Sequence, residues 1–318
     1  VDAIVTSCLS PDEVRVVQGA ADVSKALVAE PFDHIYFTGS TQVGKAVARA
    51  ASENLSTLTL ELGGKSPTIV DETADIGRAA ERIAFGKFSN AGQTCLAPDY
   101  LFVHESRYDA FVEALNERLD RFYGATESSP DYGRVVSERH AERLAELCAD
   151  ALERGATLLR GGQSDPSGRY LEPTLLTDLP GDAAVMQEEI FGPILPIFRY
   201  TDLAEVLEEI SARPTPLALY IFSESEDAIQ RVVSSTNSGS VGVNDTIIQF
   251  ANPHLPFGGT GNSGQGRGHG HAGFLEFSSQ RTVLRQRRRL ALVSLFYPPY
   301  DELKRRAIKA LLKRYRIG

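Results

Sequence analysis

The chain has 318 residues, of which 42% are hydrophobic and 24% are charged, with a net charge of -9. This length predicts about two domains, and the composition excludes fibrous, collagen-like and wholly disordered chains. Because no run of about 18 apolar residues occurs, the sequence predicts neither a membrane-spanning helix nor a secretory leader. The chain begins with Val1 and its only methionine is Met186, so we expect a processed or truncated product.

The charge is unevenly placed along the chain. Residues from 281 onward contain 12 Lys/Arg and 2 Asp/Glu, which leaves 21 basic and 40 acidic residues, or -19, for the rest. An acidic body of this kind argues against nucleic-acid binding. Three widely spaced cysteines, Cys8, Cys95 and Cys148, fit neither a disulfide framework nor a paired-cysteine metal site. We therefore expect a cytoplasmic protein without a metal centre.

Short β-rich runs alternate with helical patterns along most of the chain, which predicts an α/β fold with mainly parallel sheets. The first elements predict a βαβ unit, with a strand at 14–17, a helix at 21–29 and a strand at 34–37. Further strands are predicted at 57–62, 68–70, 100–103, 194–198, 217–222 and 240–243, and further helices at 45–52, 108–122, 138–153, 203–210 and 226–234.

Two other segments have a clear pattern. Cys148 shares one face of the helix predicted at 138–153 with Leu144 and Leu152, which favours a structural role in the core. Residues 258–270 contain seven glycines and form either a linker or a packed, functional loop. Because Phe257 comes directly before this segment, we favour the packed loop.

A glycine turn raises the question of phosphate binding. Residues 39–45 (GSTQVGK) lie between a predicted strand and a predicted helix and match most of the P-loop pattern. Ala46 stands where a P-loop needs Ser or Thr to hold Mg²⁺, and the second candidate, 64–66 (GKS), is followed by Pro67. These mismatches disfavour an NTPase. The turn either presents its amides to a diphosphate or is an ordinary tight βα turn, and both interpretations stay open.

Cys95 and Glu61 are the candidate catalytic residues. Cys95 lies in a small, polar stretch, 89–98 (SNAGQTCLAP), which predicts a partly exposed thiol whose pKa nearby backbone amides lower. A lone cysteine is more often structural. Glu61 stands near the end of the predicted strand 57–62, where an apolar setting would raise its pKa and suit it to activating water. The alternative is a solvated carboxylate at the end of the strand.

Five motifs occur in the order that they have in a known family. They are FTGST at 37–41, ELGGKSP at 61–67, GQTC at 92–95, EEIFGP at 188–193 and LPFGG at 255–259. In these motifs the chain resembles the C-terminal two-thirds of the aldehyde dehydrogenase superfamily. Its sequence at 95–100 (CLAPDY), 186–189 (MQEE) and 216–220 (PLALY) most resembles that of the class 3 branch, which includes fatty-aldehyde and aryl-aldehyde enzymes.

The resemblance implies a division of the chain into parts. Residues 1–62 would form the C-terminal half of a Rossmann-type NAD(P)-binding domain, and residues 63–270 an α/β catalytic thiol domain. Residues 271–285 would contain a bridging strand, read from the sequence as 277–284, that joins the subunits of a homodimer. Residues 286–318 remain as a basic tail.

The resemblance also implies the chemistry, which is oxidation of an aldehyde to a carboxylic acid with NAD or NADP. Cys95 would attack the carbonyl and form a thiohemiacetal, hydride transfer would leave a thioester, and Glu61 would be the general base for its hydrolysis. The implied cofactor residues are Gly39, Ser40 and Gly44 at the pyrophosphate turn, Glu189 at the nicotinamide ribose and Phe191 beside the nicotinamide. The sequence indicates neither which aldehyde reacts nor which of the two cofactors is preferred.

Family members begin well before the position of Val1. The preceding part would contain the first strands of the cofactor domain and a Pro-Trp-Asn motif whose Asn completes the oxyanion hole, and the chain has no Trp. Two hypotheses follow. The chain is either the larger part of an active dehydrogenase or a catalytically poor fragment that acts as an oligomerisation or binding module. We favour the first, because unused motifs are expected to decay.

The tail combines a basic run at 287–289 with a helix predicted from about Asp301. Leu303, Ala307, Leu311 and Tyr315 fall on one face of that helix. The tail either attaches peripherally to anionic lipid, or it packs against its own domain or a dimer partner. We favour packing.

Overall fold

The computed structural model describes residues 1–286, 293 and 296–315. The helices are α1 Asp2–Cys8, α2 Ala21–Val28, α3 Thr41–Glu53, α4 Ile76–Phe88, α5 Tyr108–Tyr123, α6 Glu138–Glu153, α7 Ala184–Gln187, α8 Leu203–Ala212, α9 Glu226–Ser235, α10 Gly270–Glu276 and α11 Glu302–Tyr315. The strands are β1 His34–Gly39, β2 Thr57–Leu62, β3 Pro67–Val70, β4 Tyr100–His104, β5 Thr157–Arg160, β6 Ser164–Asp165, β7 Tyr170–Leu171, β8 Thr174–Thr177, β9 Ile194–Tyr200, β10 Ala218–Phe222, β11 Ser240–Val243 and β12 Gly264–Gln265.

The larger sheet has seven strands in the order β11-β10-β3-β4-β9-β8-β5. All neighbours are parallel except β5 and β8. Helices cover both faces, so the central strands are buried on both sides, as parallel sheets require. Val70 and Tyr220 pack with the residues of α4 and α5, whereas their neighbours Ile69 and Leu219 pack with those of α6 and α8. This sheet forms the main core.

The smaller sheet has the order β1-β2-β12 and places Glu61 at its centre. β1 and β2 are parallel and joined by α3, with Thr38 opposite Glu61. β12 runs antiparallel to β2 and sets Gly264 opposite Glu61 on the other side. Ser40 caps α3 by accepting a hydrogen bond from the Val43 N–H. The α/β fold with mainly parallel sheets is therefore confirmed.

Most predicted elements are present, and those at 57–62, 138–153 and 240–243 match the structure residue for residue. The predicted strand at 14–17 is wrong. Val14 and Val17 are 38% and 54% exposed, and no strand among the described residues lies beside them to form a ladder. Cys148 is buried in the core as predicted, whereas Leu152 is 38% exposed and lies outside it.

The glycine-rich segment 258–270 is a packed loop, as predicted. Phe257 is buried and exchanges backbone hydrogen bonds with Gly268. Gly264 has a φ of 139°, and a Cβ atom there would lie 2.0 Å from the carbonyl oxygen of Leu60. Only glycine allows this close approach of β12 to β2.

The chain divides into a unit at Val1–Phe277, which contains the seven-stranded sheet, the three-stranded sheet and the β6–β7 pair, and a second unit at Ser278–Gly318. Residues 277–286 form no strand within the chain, and α10 occupies the preceding residues. The bridging strand predicted within 271–285 would need a second copy as its neighbour, so its pairing stays a prediction, as do the predicted domain limits.

In the second unit, Asp301 accepts a hydrogen bond from the Lys304 N–H and so caps α11, where the sequence predicts a helix. Leu303 is 80% exposed, whereas Ala307 and Leu311 are partly buried. The basic run predicted at 287–289 lies outside the described residues. Among the described residues, no helix combines the length and the apolar character that crossing a membrane requires.

Candidate active site

A cleft of roughly 1280 Å³ lies at the carboxyl ends of β1 and β2. Parallel sheets bind ligands at this edge, because the loops after the strands converge there. Four segments line it in addition to Arg213 and its neighbours: the β1–α3 turn at 38–42, the end of β2 at 61–65, the cysteine loop at 93–95 and the segment 186–191. Cys95 and Glu61, 34 positions apart in sequence, both line this cleft.

The backbone before Cys95 is sharply bent. Asn90, Ala91 and Gly92 have φ values of 52°, 51° and 74°, a left-handed run that turns the chain away from α4. A Cβ atom on Gly92 would lie 2.3 Å from the carbonyl oxygen of Gly192, so only glycine fits. Gln93 fixes the loop, because its side chain accepts from the Val136 N–H at 2.8 Å and donates to the Arg134 carbonyl at 3.0 Å.

The Cys95 thiol is partly buried, and its pKa is raised to about 11. Burial is the main cause, and the charges of Glu189 and Glu61 raise the pKa further. The backbone N–H groups of Cys95 and Leu96 point at the sulfur and lower the pKa, as the sequence predicts, but their effect is the smaller one. The predicted net lowering of the pKa is therefore wrong.

Glu61 has the apolar setting that the sequence predicts. The residue is 5% exposed, and neither carboxyl oxygen has a hydrogen-bond partner among the described residues. Burial raises the pKa of Glu61 to about 7; the Arg267 guanidinium opposes this rise and Glu276 adds to it. The alternative of a solvated carboxylate at the strand end is excluded. An unpaired carboxyl with a pKa near neutrality is poised to gain or lose a proton.

Glu189 lies directly over Gly63 and partly fills the cleft. A Cβ atom on Gly63 would lie 2.0 Å from a Glu189 carboxyl oxygen, so this contact requires glycine. The carboxyl accepts a hydrogen bond from the Gly64 N–H, which lowers its pKa, but burial dominates and raises the pKa of Glu189 to about 7. Its other acceptor positions face the cleft.

A buried ion pair anchors the segment that carries Glu189. The Lys65 ammonium contacts the Asp99 carboxylate and donates to the carbonyls of Val185 at 2.8 Å and Glu188 at 3.0 Å. The second oxygen of Asp99 accepts from the Ile190 N–H at 3.0 Å. The two charged side chains are only 11% and 4% exposed. They hold 185–190 rigidly against the loops that follow β2 and Cys95.

A second pair holds the same segment from α6. The His140 ring pairs with the Phe191 carbonyl at 2.8 Å, and Arg143 donates to the Ile190 carbonyl and pairs with Glu188 at 3.2 Å. Phe191 has a φ of 48°, an unfavourable conformation for a bulky residue. Such a conformation persists only where surrounding contacts impose it, and these hydrogen bonds supply the contacts.

The residues around the cleft fit a nicotinamide dinucleotide. Gly39 and Ser40 line the cleft at the N-terminus of α3, where free N–H groups and the helix dipole favour a diphosphate. Gly44 is not among the lining residues. It is buried within α3, where a Cβ atom would lie 2.6 Å from Leu62, so it allows close packing of helix on sheet. Glu189 offers acceptor positions that suit ribose hydroxyls.

Phe257, which belongs to the core cluster against which Cys95 packs, is part of an aromatic cluster. The rings of Phe250, Phe257 and His269 lie 5.1 to 5.3 Å apart in centroid distance. The Tyr220 hydroxyl joins this region to the cysteine loop, because it donates to the Leu96 carbonyl and accepts from the Ile247 N–H.

The structure therefore brings six predicted site residues into one cleft, Cys95, Glu61, Gly39, Ser40, Glu189 and Phe191, and places Gly44 behind it. Four further residues that position the site, Lys65, Asp99, His140 and Arg143, were not predicted from the sequence. Lys65 and Asp99 lie inside or next to the recognised motifs, and this position was the signal in the sequence that could have identified them. Nothing in the sequence marks His140 and Arg143 beyond their helical spacing.

The sequence model of the aldehyde dehydrogenase family matches residues 3–283. The 4,4'-diaponeurosporen-aldehyde dehydrogenase of Staphylococcus aureus is 48% identical over 98% of this chain and 67% of its own length. Aldehyde dehydrogenase family 3 member A2 of Rattus norvegicus is 43% identical over 93% of this chain and 60% of its own length. A rat relative described as "dimeric NADP-preferring" is 46% identical over 85% of the chain and 58% of its length.

A solved structure of Staphylococcus aureus AldH in a substrate-bound state matches with a TM-score of 0.90 and 47% identity, over 98% of this chain and 67% of that one. The chain thus spans about two thirds or less of the length of these relatives. The resemblance to the aldehyde dehydrogenase superfamily, which the sequence motifs indicate, is confirmed. The relatives include proteins named as family 3 members. The chain belongs to the aldehyde dehydrogenase family.

Proposed function

We propose that this chain carries the thiol and the hydrolytic base of an NAD(P)-dependent aldehyde dehydrogenase. The observation that supports this most is that Cys95 and the unpaired, buried Glu61 carboxyl line one cleft with Glu189. A thiol and a separate base are the two groups that oxidation through a thioester needs. Membership of the family supports the same reaction.

In this reaction the Cys95 sulfur adds to the aldehyde carbonyl and forms a thiohemiacetal. NAD or NADP, when bound, supplies the hydride acceptor. The acyl group then remains on Cys95 as a thioester, and Glu61 takes a proton from water while the water oxygen attacks the acyl carbon. The carbon–sulfur bond breaks, the acid leaves, and the sulfur recovers a proton. With a pKa of about 7, Glu61 exists in both protonation states near neutrality, as a general base requires.

The cofactor residues have separate tasks in this proposal. Gly39 and Ser40 bind the pyrophosphate at the start of α3, and Glu189 accepts hydrogen bonds from ribose hydroxyls. Phe191 packs beside the nicotinamide. Gly44 would act indirectly, since its packing on Leu62 sets the position of the helix start.

One observation favours a second candidate, a binding or oligomerisation module with little activity. β1 is at an edge of its sheet among the described residues, and the surface beside it exposes Tyr36 by 45% and Leu55 by 89%. An exposed edge strand with apolar neighbours is a site for pairing with another chain. We rank this candidate second because it gives the residues of the cleft no task.

The test is aldehyde-dependent formation of NAD(P)H by the chain, with Cys95→Ala and Glu61→Gln as variants. We expect Cys95→Ala to abolish turnover. Glu61→Gln should retain one equivalent of NAD(P)H per site and accumulate acylated Cys95, which intact-mass spectrometry detects. Full turnover by Cys95→Ala would refute the mechanism, and absence of turnover in the unaltered chain would leave the second candidate.

We further propose a cytoplasmic homodimer whose basic tail makes at most peripheral contact with membranes. α11 has the basic residues Lys313 and Arg314 in its last turn and exposes Leu303, which supports the possibility of contact with anionic lipid. Removal of 286–318 should then abolish co-sedimentation with vesicles of phosphatidylserine and phosphatidylcholine. Unchanged sedimentation would exclude the lipid contact, and light scattering of the same samples measures the oligomeric state.

A further inference from the structure

One face of the small sheet carries a continuous row of polar side chains that ends at Glu61. Side chains alternate along strands, so His34 on β1 and the residues Thr57, Thr59 and Glu61 on β2 project from the same face. His34 is opposite Thr57 in the β1–β2 register. The row runs from the exposed start of β2 to the buried carboxyl in the cleft.

Hydrogen bonds connect this row to α10. The His34 ring pairs through Nδ1 with the Thr57 hydroxyl at 2.8 Å and through Nε2 with the Thr59 hydroxyl at 3.0 Å. The Thr59 hydroxyl donates to a Glu276 carboxyl oxygen at 2.7 Å. The Thr57 hydroxyl donates to the Asp33 carbonyl at 3.0 Å. The wholly buried Thr59 is thus the link between an imidazole and a carboxyl group.

The proton positions in this network have two arrangements. In the first, each threonine hydroxyl donates away from the ring, Thr57 to the Asp33 carbonyl and Thr59 to Glu276. Both hydroxyl oxygens then accept from the His34 ring, and a ring that donates from both nitrogens is an imidazolium. In the second, the Thr57 hydroxyl donates to Nδ1 of a neutral ring. The first arrangement places a positive ring and a Glu276 carboxylate on either side of Thr59.

This network lies beside the proposed base. The charge of Glu276 raises the pKa of Glu61. One loop also contacts both carboxyl groups, because its Gly266 packs against Glu276 and its Gly268 packs against Glu61. The other groups that face Glu61 are Arg267 from that loop, Tyr36 from β1 and Cys95 from the cysteine loop. Arg267 donates to the carbonyls of Gly259 and Gly266, so backbone contacts fix the position of its charge.

We propose that His34, Thr59 and Glu276 form a proton-sharing network that controls the protonation of the Glu61 carboxyl. In this network His34 donates from both ring nitrogens, and its positive charge compensates that of Glu276 and thereby limits the repulsion of a Glu61 carboxylate. All three are positioning residues, because they act on the reaction through Glu61. The inference rests on the proposed function of Glu61 as the base for thioester hydrolysis.

The proposal makes two substitutions act in opposite directions. His34→Gln keeps groups that can bond to both threonines but removes the positive charge, so Glu276 repels the Glu61 carboxylate more strongly. Glu276→Gln removes the negative charge. We expect the pH at which hydrolysis of acylated Cys95 is half-maximal to lie at about 7 in the unaltered chain. It should rise by roughly half a unit to one unit in His34→Gln and fall by a similar amount in Glu276→Gln.

The assay does not need the cofactor. p-Nitrophenyl acetate acylates a thiol directly, and intact-mass spectrometry then follows loss of the acetyl group from Cys95 between about pH 5.5 and 9. Thr59→Val should shift the profile in the direction of His34→Gln, and Thr59→Ser should restore it by returning the hydroxyl. His271→Gln on α10 and Glu53→Gln on α3 are matched controls, because both residues are exposed and lie outside the network.

A measurement independent of activity accompanies the assay. In a sample with ¹⁵N-labelled histidine, both ring nitrogens of His34 should carry protons at neutral pH, and Glu276→Gln should remove one of them. His34→Gln assigns the signal among the six histidines. Profiles that do not shift, or that shift in the same direction, would overturn the proposal, as would a singly protonated His34. If Cys95 is never acetylated, the proposed function fails, and the protonation of the two His34 ring nitrogens then tests the network by itself.

Discussion

Replacing Lys65 by Met tests whether the segment that carries Glu189 is held in place before any ligand binds. The substitution removes three contacts and leaves the Asp99 carboxylate, only 4% exposed, with the Ile190 N–H as its hydrogen-bond partner and the more distant Lys87 ammonium as its remaining cation. Breaking a buried ion pair from one side costs about 3 to 5 kcal/mol. With an unfolding entropy of about 2.1 cal/mol/K per residue, the unit at Val1–Phe277 should lose roughly 5 to 9 °C in Tm.

A double-mutant cycle in urea measures this cost. Lys65→Met with Asp99→Asn removes both charges, so the double variant should be more stable than the sum of the single losses by at least about 1 kcal/mol. Arg78→Met is the matched control, because Arg78 pairs with Asp75 but its side chain is 73% exposed; we expect a loss below about 0.5 kcal/mol. Single losses that simply add, or a Lys65→Met loss no larger than the control, would refute the reasoning.

Three further predictions follow from the same cleft. The pKa of Cys95 is raised to about 11, so the rate at which iodoacetamide alkylates this thiol should still increase above about pH 9. A rate that is constant from about pH 8 upward would contradict the raised pKa. Folding favours the protonated form of Glu61, so the stability it contributes is complete below its ordinary pKa of 4.5 and is lost as pH rises through about 7. Glu61→Gln should therefore be more stable than the unaltered chain in urea at pH 8 and show no gain at pH 4. Gly92→Ala should lower the free energy of unfolding in urea by at least about 2 kcal/mol, because the added methyl group meets the Gly192 carbonyl at a position with positive φ. Gly124→Ala also has a positive φ but adds its methyl group in open space, so it should lower this free energy by about 1 kcal/mol.

Local patterns in the sequence were sufficient to predict the elements that position the two catalytic candidates. The alternation at 57–62 predicts β2 residue for residue, and so places Glu61 near the end of a strand. The small, polar residues around Cys95 predict a loop, and the structure has one. These predictions succeed because they depend on side-chain spacing within a few residues, which the sequence contains directly.

The parts that the sequence did not predict depend on distant partners. α4 has glycines and a lysine within its apolar pattern, and Lys87 is nevertheless buried, with its pKa lowered to about 8 by burial. The contact of Lys65 with Asp99 joins positions 34 residues apart, and that of His140 with Phe191 joins positions 51 apart. The strand predicted at 14–17 fails for the converse reason: a β-rich run forms no ladder without a neighbour.

The error about the Cys95 thiol shows how the charges of the cleft act together. The sequence predicts backbone amides near the sulfur, and they are there, but it cannot show that Glu61 and Glu189 converge on the same space. Each buried carboxylate disfavours negative charge on the sulfur, and burial disfavours charge on all three groups. A cation that enters the cleft would therefore stabilise all three anions at once. With the pKa of Cys95 raised to about 11, a positive charge beside the sulfur would favour the thiolate that attack on a carbonyl carbon requires.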